Sequence, residues 1–191
     1  ATYIKEIGRG KEGARALTQE QAHDLMSQVL DGRVTDLEIG AFAIAMRIKG
    51  ETTDELAGFL QATHERCIAL HPQHPMVVLP SYNGARKLPN LTTLLALLLA
   101  QEGVPVLVHG PEHDPGRVTT AEIFQTLGLP SASDAGDIHA AWQRREPVFI
   151  RTEALCPPLA RLLDARRVIG LRNPAHTVAK LLAPGRQSPS L

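Results

Sequence analysis

The sequence has few of the residues that build disulfide frameworks, base-stacking surfaces or membrane spans. Its 191 residues include only two cysteines, Cys67 and Cys156, and aromatic residues make up 4% of the chain. Two distant cysteines fit no disulfide framework, which favours a reducing, cytoplasmic setting. The most apolar run, residues 91–100, is too short to span a bilayer, and the N-terminus lacks the apolar segment of a signal peptide. We therefore expect a cytoplasmic protein with no membrane partner.

The formal net charge is zero, yet the charges are unevenly distributed. Acidic residues outnumber basic ones between residues 18 and 70, whereas the first segment and the segment after residue 160 are basic. This asymmetry indicates a surface that binds a polyanion, although simple solvation of charged faces explains it equally well. The basic residues concerned are Lys5, Arg9, Lys11 and Arg15 in the first segment, and Arg161, Arg166, Arg167, Arg172, Lys180 and Arg186 in the last.

Repeated capping signals predict three helices in the N-terminal part. Thr18, Thr35 and Thr52 each precede a Gln or Glu by three residues, which is the spacing of a capping box. The second helix is apolar almost all round, which indicates a central position. The glycine-rich residues 8–13, in contrast, predict an exposed, mobile arm. The predicted buried residues are Ala22, Leu25, Met26, Val29 and Leu30 in the first helix, Phe42 and Met46 in the second, and Leu56, Phe59, Leu60 and Cys67 in the third.

Strand and helix signals alternate from residue 77 onward. Short apolar runs at 77–79, 104–108 and 148–150 predict three parallel strands. Intervening helices are predicted at 91–102, after Thr119 with its capping partner Glu122, and after Ser133; two further helices open at Pro157-Pro158 and Asn173-Pro174. The predicted fold class is α/β, with a helical bundle domain over residues 1–70 and a mostly parallel α/β domain over 71–191. Three strands make a thin sheet, so we expect the second domain to be incomplete in this chain.

The loop after the first predicted strand has the layout of an anion-binding site. A strand, a loop containing a glycine and a helix together place backbone N–H groups around an anion. The same residue types are good turn formers and helix caps, so a purely structural role stays open. The candidate residues are Ser81, Asn83, Gly84, Asn90, Thr92 and His109.

A metal site is a weaker hypothesis. Cys67, His71 and His74 have spacings that a metal could use, but the prolines at 72 and 75 also suit a linker between domains. Because no second cysteine cluster lies nearby, we expect no metal.

Three segments, residues 17–22, 36–46 and 49–58, strongly resemble the helical N-terminal domain of the anthranilate phosphoribosyltransferase family. The similarity continues through residues 90–93 and 108–110. That family shares its fold with the pyrimidine nucleoside phosphorylases, and its enzymes wrap the pyrophosphate of phosphoribosyl pyrophosphate with a Gly-Thr-Gly-Gly-Asp loop. The resemblance implies a helical domain joined to an α/β domain.

The catalytic signatures of that family are altered here. Residues 80–85 stand where the pyrophosphate loop is expected, yet Pro80 lacks an N–H group and Tyr82 is bulky. The family's Lys-His-Gly-Asn-Arg stretch becomes residues 108–112, in which Glu112 adds a charge that opposes pyrophosphate binding. The family's magnesium-binding Asp-Glu pair would lie beyond Leu191. We therefore expect no catalytic residues and no cofactor.

Residues 4–11, 149–158 and 169–180 resemble the YbiB-type branch, whose members bind nucleic acid as homodimers. The resemblance implies a non-catalytic protein that binds DNA, especially single-stranded DNA, or RNA without sequence specificity, and that dimerises through its helical domain. The alternative is a phosphoribosyltransferase or glycosyltransferase with an altered substrate, which would use magnesium and phosphoribosyl pyrophosphate. A purely structural role is a third interpretation. The implied nucleic-acid-binding residues are Lys5, Arg9, Lys11, Arg15, Arg166, Arg167, Arg172 and Lys180.

Overall fold

The structure, a computed structural model, describes residues 2–72, 75–85 and 87–185, without the side chain of Lys11. The described residues form two compact units. Within the described residues, the helical unit comprises residues 2–66 and 158–182, and the α/β unit comprises residues 67–157 and 183–185. The domain boundary near residue 70 stays a prediction, but contacts group residues 158–182 with the N-terminal helices.

The elements follow one another in the order expected for a helical segment and then alternating strands and helices. Among the described residues they are α1 (Thr2–Ile7), α2 (Gly10–Gly13), α3 (Gln19–Leu30), α4 (Asp36–Lys49), α5 (Thr53–His64), β1 (Val77–Pro80), α6 (Thr92–Gln101), β2 (Val106–Gly110), α7 (Thr120–Thr126), β3 (Ser131–Ala132), α8 (Ala135–Gln143), β4 (Val148–Arg151), α9 (Thr152–Leu155), α10 (Pro157–Ile169) and α11 (Ala175–Leu181). None of the helices in the described part of the chain combines the length and the apolar character needed to cross a bilayer.

The predicted capping boxes are confirmed at the starts of α3, α4, α5 and α7. In each, the threonine side chain accepts from the backbone N–H three residues on, and the Gln or Glu there accepts from the threonine N–H. The prediction of a glycine-rich arm is only partly right: residues 8–10, 12 and 13 are exposed, but residues 10–13 form the short helix α2, which packs against α4 together with α1.

The core of the helical unit is built on α3, α4 and α5. The predicted stripe of α3 is buried, and Phe42 and Met46 on α4 are buried as expected. The Phe42 ring meets Phe59 of α5 edge to face, with 5.9 Å between centroids. The prediction for α5 is only partly right: Phe59 is buried, but Leu56 and Leu60 are half-buried. Cys67 is also half-buried and lies beyond the helix end at His64.

The helix α4 buries Phe42 and Met46 but is not buried on all sides. Leu37, Ile44 and Ile48 are exposed on the face opposite Phe42, with exposed fractions of 84%, 45% and 54%. Because residues 37, 44 and 48 recur at helical spacing, they form one continuous apolar stripe.

The α/β unit contains a fully parallel sheet of strand order β1-β2-β4-β3 in the described residues. The predicted count of three strands is wrong, since the two-residue strand β3 was too short to leave a periodic signal. The strand β1 lies at the sheet edge and is half-buried. The cap of α8 is Asp134 and not Ser133, because the Asp134 carboxylate accepts from the Asp137 N–H.

Candidate functional site

The candidate anion-site residues lie at the carboxyl edge of the parallel sheet. Ser81 directly follows β1, His109 lies near the end of β2, and the Ser81 N–H donates to the His109 carbonyl at 2.7 Å. This is the edge at which open α/β sheets bind ligands.

A threonine that the sequence did not single out, Thr120, connects two of these residues, Ser81 and Asn90. The Thr120 hydroxyl lies 2.5 Å from the Ser81 hydroxyl and accepts from the Asn90 amide at 2.9 Å. The Asn90 side-chain oxygen accepts from the Thr92 N–H at 3.2 Å. Thr120 follows the capping residue of α7, and no local pattern separates it from any other residue of a first helical turn.

The loop backbone between Ser81 and Asn90 is bonded to the segment before α7. Ala85 and Val118 exchange two backbone hydrogen bonds of 3.0 Å, and Arg117 donates to the Gly84 carbonyl at 3.1 Å. A Cβ on Gly84 would lie 2.6 Å from the Val118 oxygen, so its glycine permits close packing inside the protein. The N–H groups of Ser81 and Ala85 are thus already donated, and Pro80 has none. These three positions therefore offer no backbone N–H group to a pyrophosphate.

Two more residues at this edge, Glu112 and Thr93, change what the sequence alone predicts for anion binding. Glu112 forms an ion pair of 3.1 Å with Arg151 at the end of β4, so its negative charge is partly compensated. Thr93, in the first turn of α6, is 2% exposed, and its hydroxyl has no hydrogen-bond partner among the described residues. Thr93 is therefore a further polar group that this edge could present to a ligand.

Several of the predicted basic residues pair with carboxylates close to them in the chain. Arg9 and Arg15 approach Glu6 at 3.3 and 3.8 Å, and Arg167 approaches Asp164 at 2.8 Å. These ion pairs are exposed, so the arginines stay accessible but their charges are partly neutralised. Lys5 is exposed on α1, and the Lys11 side chain and Arg186 lie outside the described residues.

The other predicted basic residues gather in the helical unit. Arg172 and Lys180 line a cavity of about 260 Å³ together with Arg47, from the last turn of α4, and with one acid, Glu51. Arg166 and these two predicted residues act electrostatically on the same buried histidine, His176. We call Arg47, Arg166, Arg172 and Lys180 the cationic cluster. Arg47 was missed because it stands in a stretch where acidic residues dominate.

The cationic cluster carries charge without compensating ion pairs. Among the described residues, none of its four side chains forms an ion pair with a carboxylate. The pKa of His176 is lowered to about 4, mainly by burial; a hydrogen bond with the Asn173 backbone opposes the shift, and the charges of Arg172, Arg166 and Lys180 contribute to it. The imidazole is therefore neutral at pH 7, and the positive charge belongs to the four long side chains.

The metal hypothesis gains no cluster of ligands from the structure. Within residues 2–72, 75–85 and 87–185, no group of three or more His, Cys, Asp or Glu side chains is arranged to hold a metal. His74, one of the three residues of that hypothesis, lies outside the described residues.

Comparisons with protein families and solved structures identify the fold class of this chain. Residues 1–67 match the helical bundle domain of the glycosyl transferase family. Anthranilate phosphoribosyltransferase (TrpD) from Thermus thermophilus has a TM-score of 0.77 at 22% identity, covering 96% of this chain and 55% of that one. The Saccharomyces cerevisiae enzyme in complex with PRPP and Mg has a TM-score of 0.70 at 13% identity, covering 94% and 53%. The fold is that of this transferase class.

Curated relatives that are similar in sequence identify the family within this fold class. The YbiB protein of Escherichia coli (strain K12) is 47% identical over 98% of this chain and 60% of its own length. Anthranilate phosphoribosyltransferase of Methanopyrus kandleri is 27% identical over 97% of this chain and 54% of its own length. The chain thus spans little more than half the length of these relatives. It belongs to the anthranilate phosphoribosyltransferase-like family, together with YbiB.

Proposed function

We propose that the protein binds nucleic acid without sequence specificity and without catalysis, and that the cationic cluster contacts phosphates. The observation that carries this proposal is the gathering of four cations that have no ion-pair partner in the described part of the chain. Lys and Arg contacts to phosphates release condensed counterions and fix position, but they carry no sequence information. Aromatic residues are scarce, so base stacking adds little.

Basic residues of the N-terminal helices belong to the same proposal in a secondary role. Lys5, Arg9 and Arg15 are exposed, but two of the three share the Glu6 carboxylate. Arg167 is likewise exposed but forms an ion pair with Asp164. We therefore expect these residues to strengthen binding less than the cationic cluster does.

The test compares two double variants that remove the same charge. Arg172→Gln/Lys180→Gln removes two members of the cationic cluster, and Arg33→Gln/Arg144→Gln removes two exposed, ion-paired arginines. Labelled single-stranded DNA of two unrelated sequences is titrated against each protein at several salt concentrations. We expect the first variant to weaken binding to both sequences and to flatten the salt dependence by roughly one unit of slope for each lost contact.

The control variant should retain both the affinity and the slope of the unmodified protein. Equal effects of the two variants would mean diffuse charge attraction and would remove the phosphate-binding role from the cationic cluster. If the unmodified protein binds no nucleic acid, the proposal is wrong.

A second candidate function, transfer to or from phosphoribosyl pyrophosphate with an altered substrate, is favoured by one observation. Ser81, Asn90, Thr92 and Thr120 retain a connected polar network at the ligand-binding edge of the sheet, next to the buried Thr93 hydroxyl. Magnesium and phosphoribosyl pyrophosphate would be its cofactor and substrate. Calorimetric titration with both, run beside the DNA titration, separates the two functions. We expect no measurable phosphoribosyl pyrophosphate binding and no turnover with anthranilate; saturable turnover would favour the transferase.

We further propose that the protein forms a homodimer through its helical domain. The exposed stripe of Leu37, Ile44 and Ile48 on α4 supports this, since an apolar row at helical spacing is typical of helix–helix interfaces. An apolar groove of about 250 Å³ runs beside it and is lined by Ile4 of α1. A dimer would double the number of phosphate contacts available to one nucleic acid.

A further inference from the structure

The chain has two cysteines, and the fold brings them together although 88 residues separate them in the sequence. The Ile68 N–H donates to the Leu155 carbonyl at 2.9 Å, and the residues flanking this bond are Cys67 and Cys156. Their two thiols share a hydrogen bond. Both residues belong to the α/β unit, so their proximity is a property of that unit alone.

We propose that Cys67 and Cys156 are an oxidation site, at which a hydroperoxide converts the two thiols into an intramolecular disulfide. The site is independent of the proposed nucleic-acid binding, because neither cysteine belongs to the cationic cluster. Both cysteines are thiols that form no disulfide in this structure, which therefore describes the reduced form. Backbone proximity and contact between the sulfur atoms are the geometric conditions that a disulfide needs.

The two cysteines differ in solvent exposure, and this difference assigns the order in which they react. Cys67 is half-buried, whereas Cys156 is 0% exposed. The Cys67 thiolate attacks one peroxide oxygen, the O–O bond breaks, and the leaving oxygen takes up a proton; Cys67 becomes a sulfenic acid. The Cys156 sulfur then attacks the Cys67 sulfur, the S–S bond forms, and the S–O bond breaks. The hydroxide leaves as water with the proton from Cys156, so the peroxide is the oxidant for both electrons.

The environment of Cys67 disfavours its reactive thiolate form. The hydrogen bond with Cys156, followed by burial, raises the pKa of the Cys67 thiol above its ordinary value. Because the thiolate is the nucleophile, we expect the oxidation to be slow at neutral pH and to become faster as the pH rises.

The position of the pair in the chain gives the disulfide a structural effect. Cys67 is the first residue of the segment Cys67–Pro157 that makes up most of the α/β unit, and Cys156 is its second-to-last residue. The bond would tie together the two ends of this segment and would restrict its unfolded ensemble, as disulfides closing long loops do. We therefore expect the oxidised protein to melt at a higher temperature than the reduced protein.

The test treats the whole chain with hydrogen peroxide at several pH values and measures its intact mass, free thiols and melting temperature. We expect a chain about 2 Da lighter, because two hydrogens leave, with no free thiols and full reversal by dithiothreitol. A gain of about 16 Da or multiples of it, with no lighter species, would overturn the proposal. A disulfide joining two chains, seen on a non-reducing gel, would also overturn it.

Two single variants test the assigned order, using dimedone, which labels sulfenic acid. Cys156→Ala removes the resolving thiol, so Cys67 should accumulate the dimedone adduct, whereas Cys67→Ser leaves only a buried thiol and should stay unlabelled. The unmodified protein should be labelled weakly, since the disulfide forms instead. Circular dichroism confirms that each variant is folded. Labelling of the unmodified protein as strong as that of folded Cys156→Ala would contradict the mechanism.

Discussion

At the scale of single residues, the buried carboxylate of Glu55 connects three parts of the helical unit. It is 0% exposed and accepts from the Leu17 N–H at 2.9 Å, from the Lys49 ammonium at 2.6 Å and from the Thr52 N–H at 2.9 Å. Burial alone would raise the pKa of Glu55, but these hydrogen bonds and the Lys49 charge outweigh it, so the pKa lies below its ordinary value. The charged form is therefore the one that stabilises the fold.

We expect Glu55→Gln to destabilise the protein by about 3–5 kcal/mol, because Lys49 would be left buried without its carboxylate. Since the pKa of Glu55 is lowered on folding, its contribution is fully present above the pKa of the unfolded chain. The contribution is lost as the pH falls through the folded-state pKa. Urea unfolding at neutral and acidic pH measures both effects.

The control for this prediction is Glu146→Gln, which removes an exposed carboxylate paired with Arg144. We expect it to change the stability by no more than about 1 kcal/mol, as is typical of surface ion pairs. If Glu55→Gln were no more destabilising than this control, the buried network would contribute little to stability.

At the scale of elements, the packing of α3 on α5 depends on the absence of a side chain at Gly58. A Cβ there would meet the Gln19 carbonyl oxygen and would lie 2.7 Å from the His23 nitrogen and 2.9 Å from the Ala22 Cβ. The first two neighbours are backbone atoms of α3, which cannot rotate away. The two helices would therefore have to separate to accommodate any larger residue.

We expect Gly58→Ala to destabilise the protein by about 1–3 kcal/mol, as other overpacked sites do. Gly40→Ala is the matched control, since a Cβ on that helical glycine meets nothing within 4 Å. It should stabilise the protein by about 0.5–1 kcal/mol, because alanine is the better helix former. Thermal melts at one common protein concentration measure both variants. A stabilising Gly58→Ala would show that α3 and α5 are less closely packed than the structure indicates.

At the scale of the whole molecule, the α4 stripe is expected to determine the oligomeric state. Ile44→Asp/Ile48→Asp places two charges on the proposed interface and should convert a dimer into a monomer in sedimentation experiments. Val168→Asp is the control, because Val168 is also exposed, at 90%, but lies on α10 outside the stripe. A monomeric unmodified protein, or dissociation caused equally by the control, would contradict an interface at this stripe.

Local sequence signals alone determined most of the secondary structure. The four capping boxes and the apolar runs of β1, β2 and β4 depend on residues at most a few positions apart, so their physical basis is visible along the chain. The same signals identified Phe42 and Met46 as buried and placed the candidate loop beside a parallel strand. They failed at β3 and at α2, where two to four residues are held by packing against neighbours and not by their own periodicity.

The composition of the candidate sites could not be predicted, because it depends on contacts between residues that are distant in the chain. No spacing relates Thr120 to Ser81 and Asn90, Arg47 to Arg172, or Cys67 to Cys156, because each pair is brought together only when the helices and the sheet pack. The sequence showed that basic residues were abundant after position 160. Tertiary packing decided which of them have neighbouring carboxylates and which form the cationic cluster, since that depends on the direction in which each helix presents its long side chains.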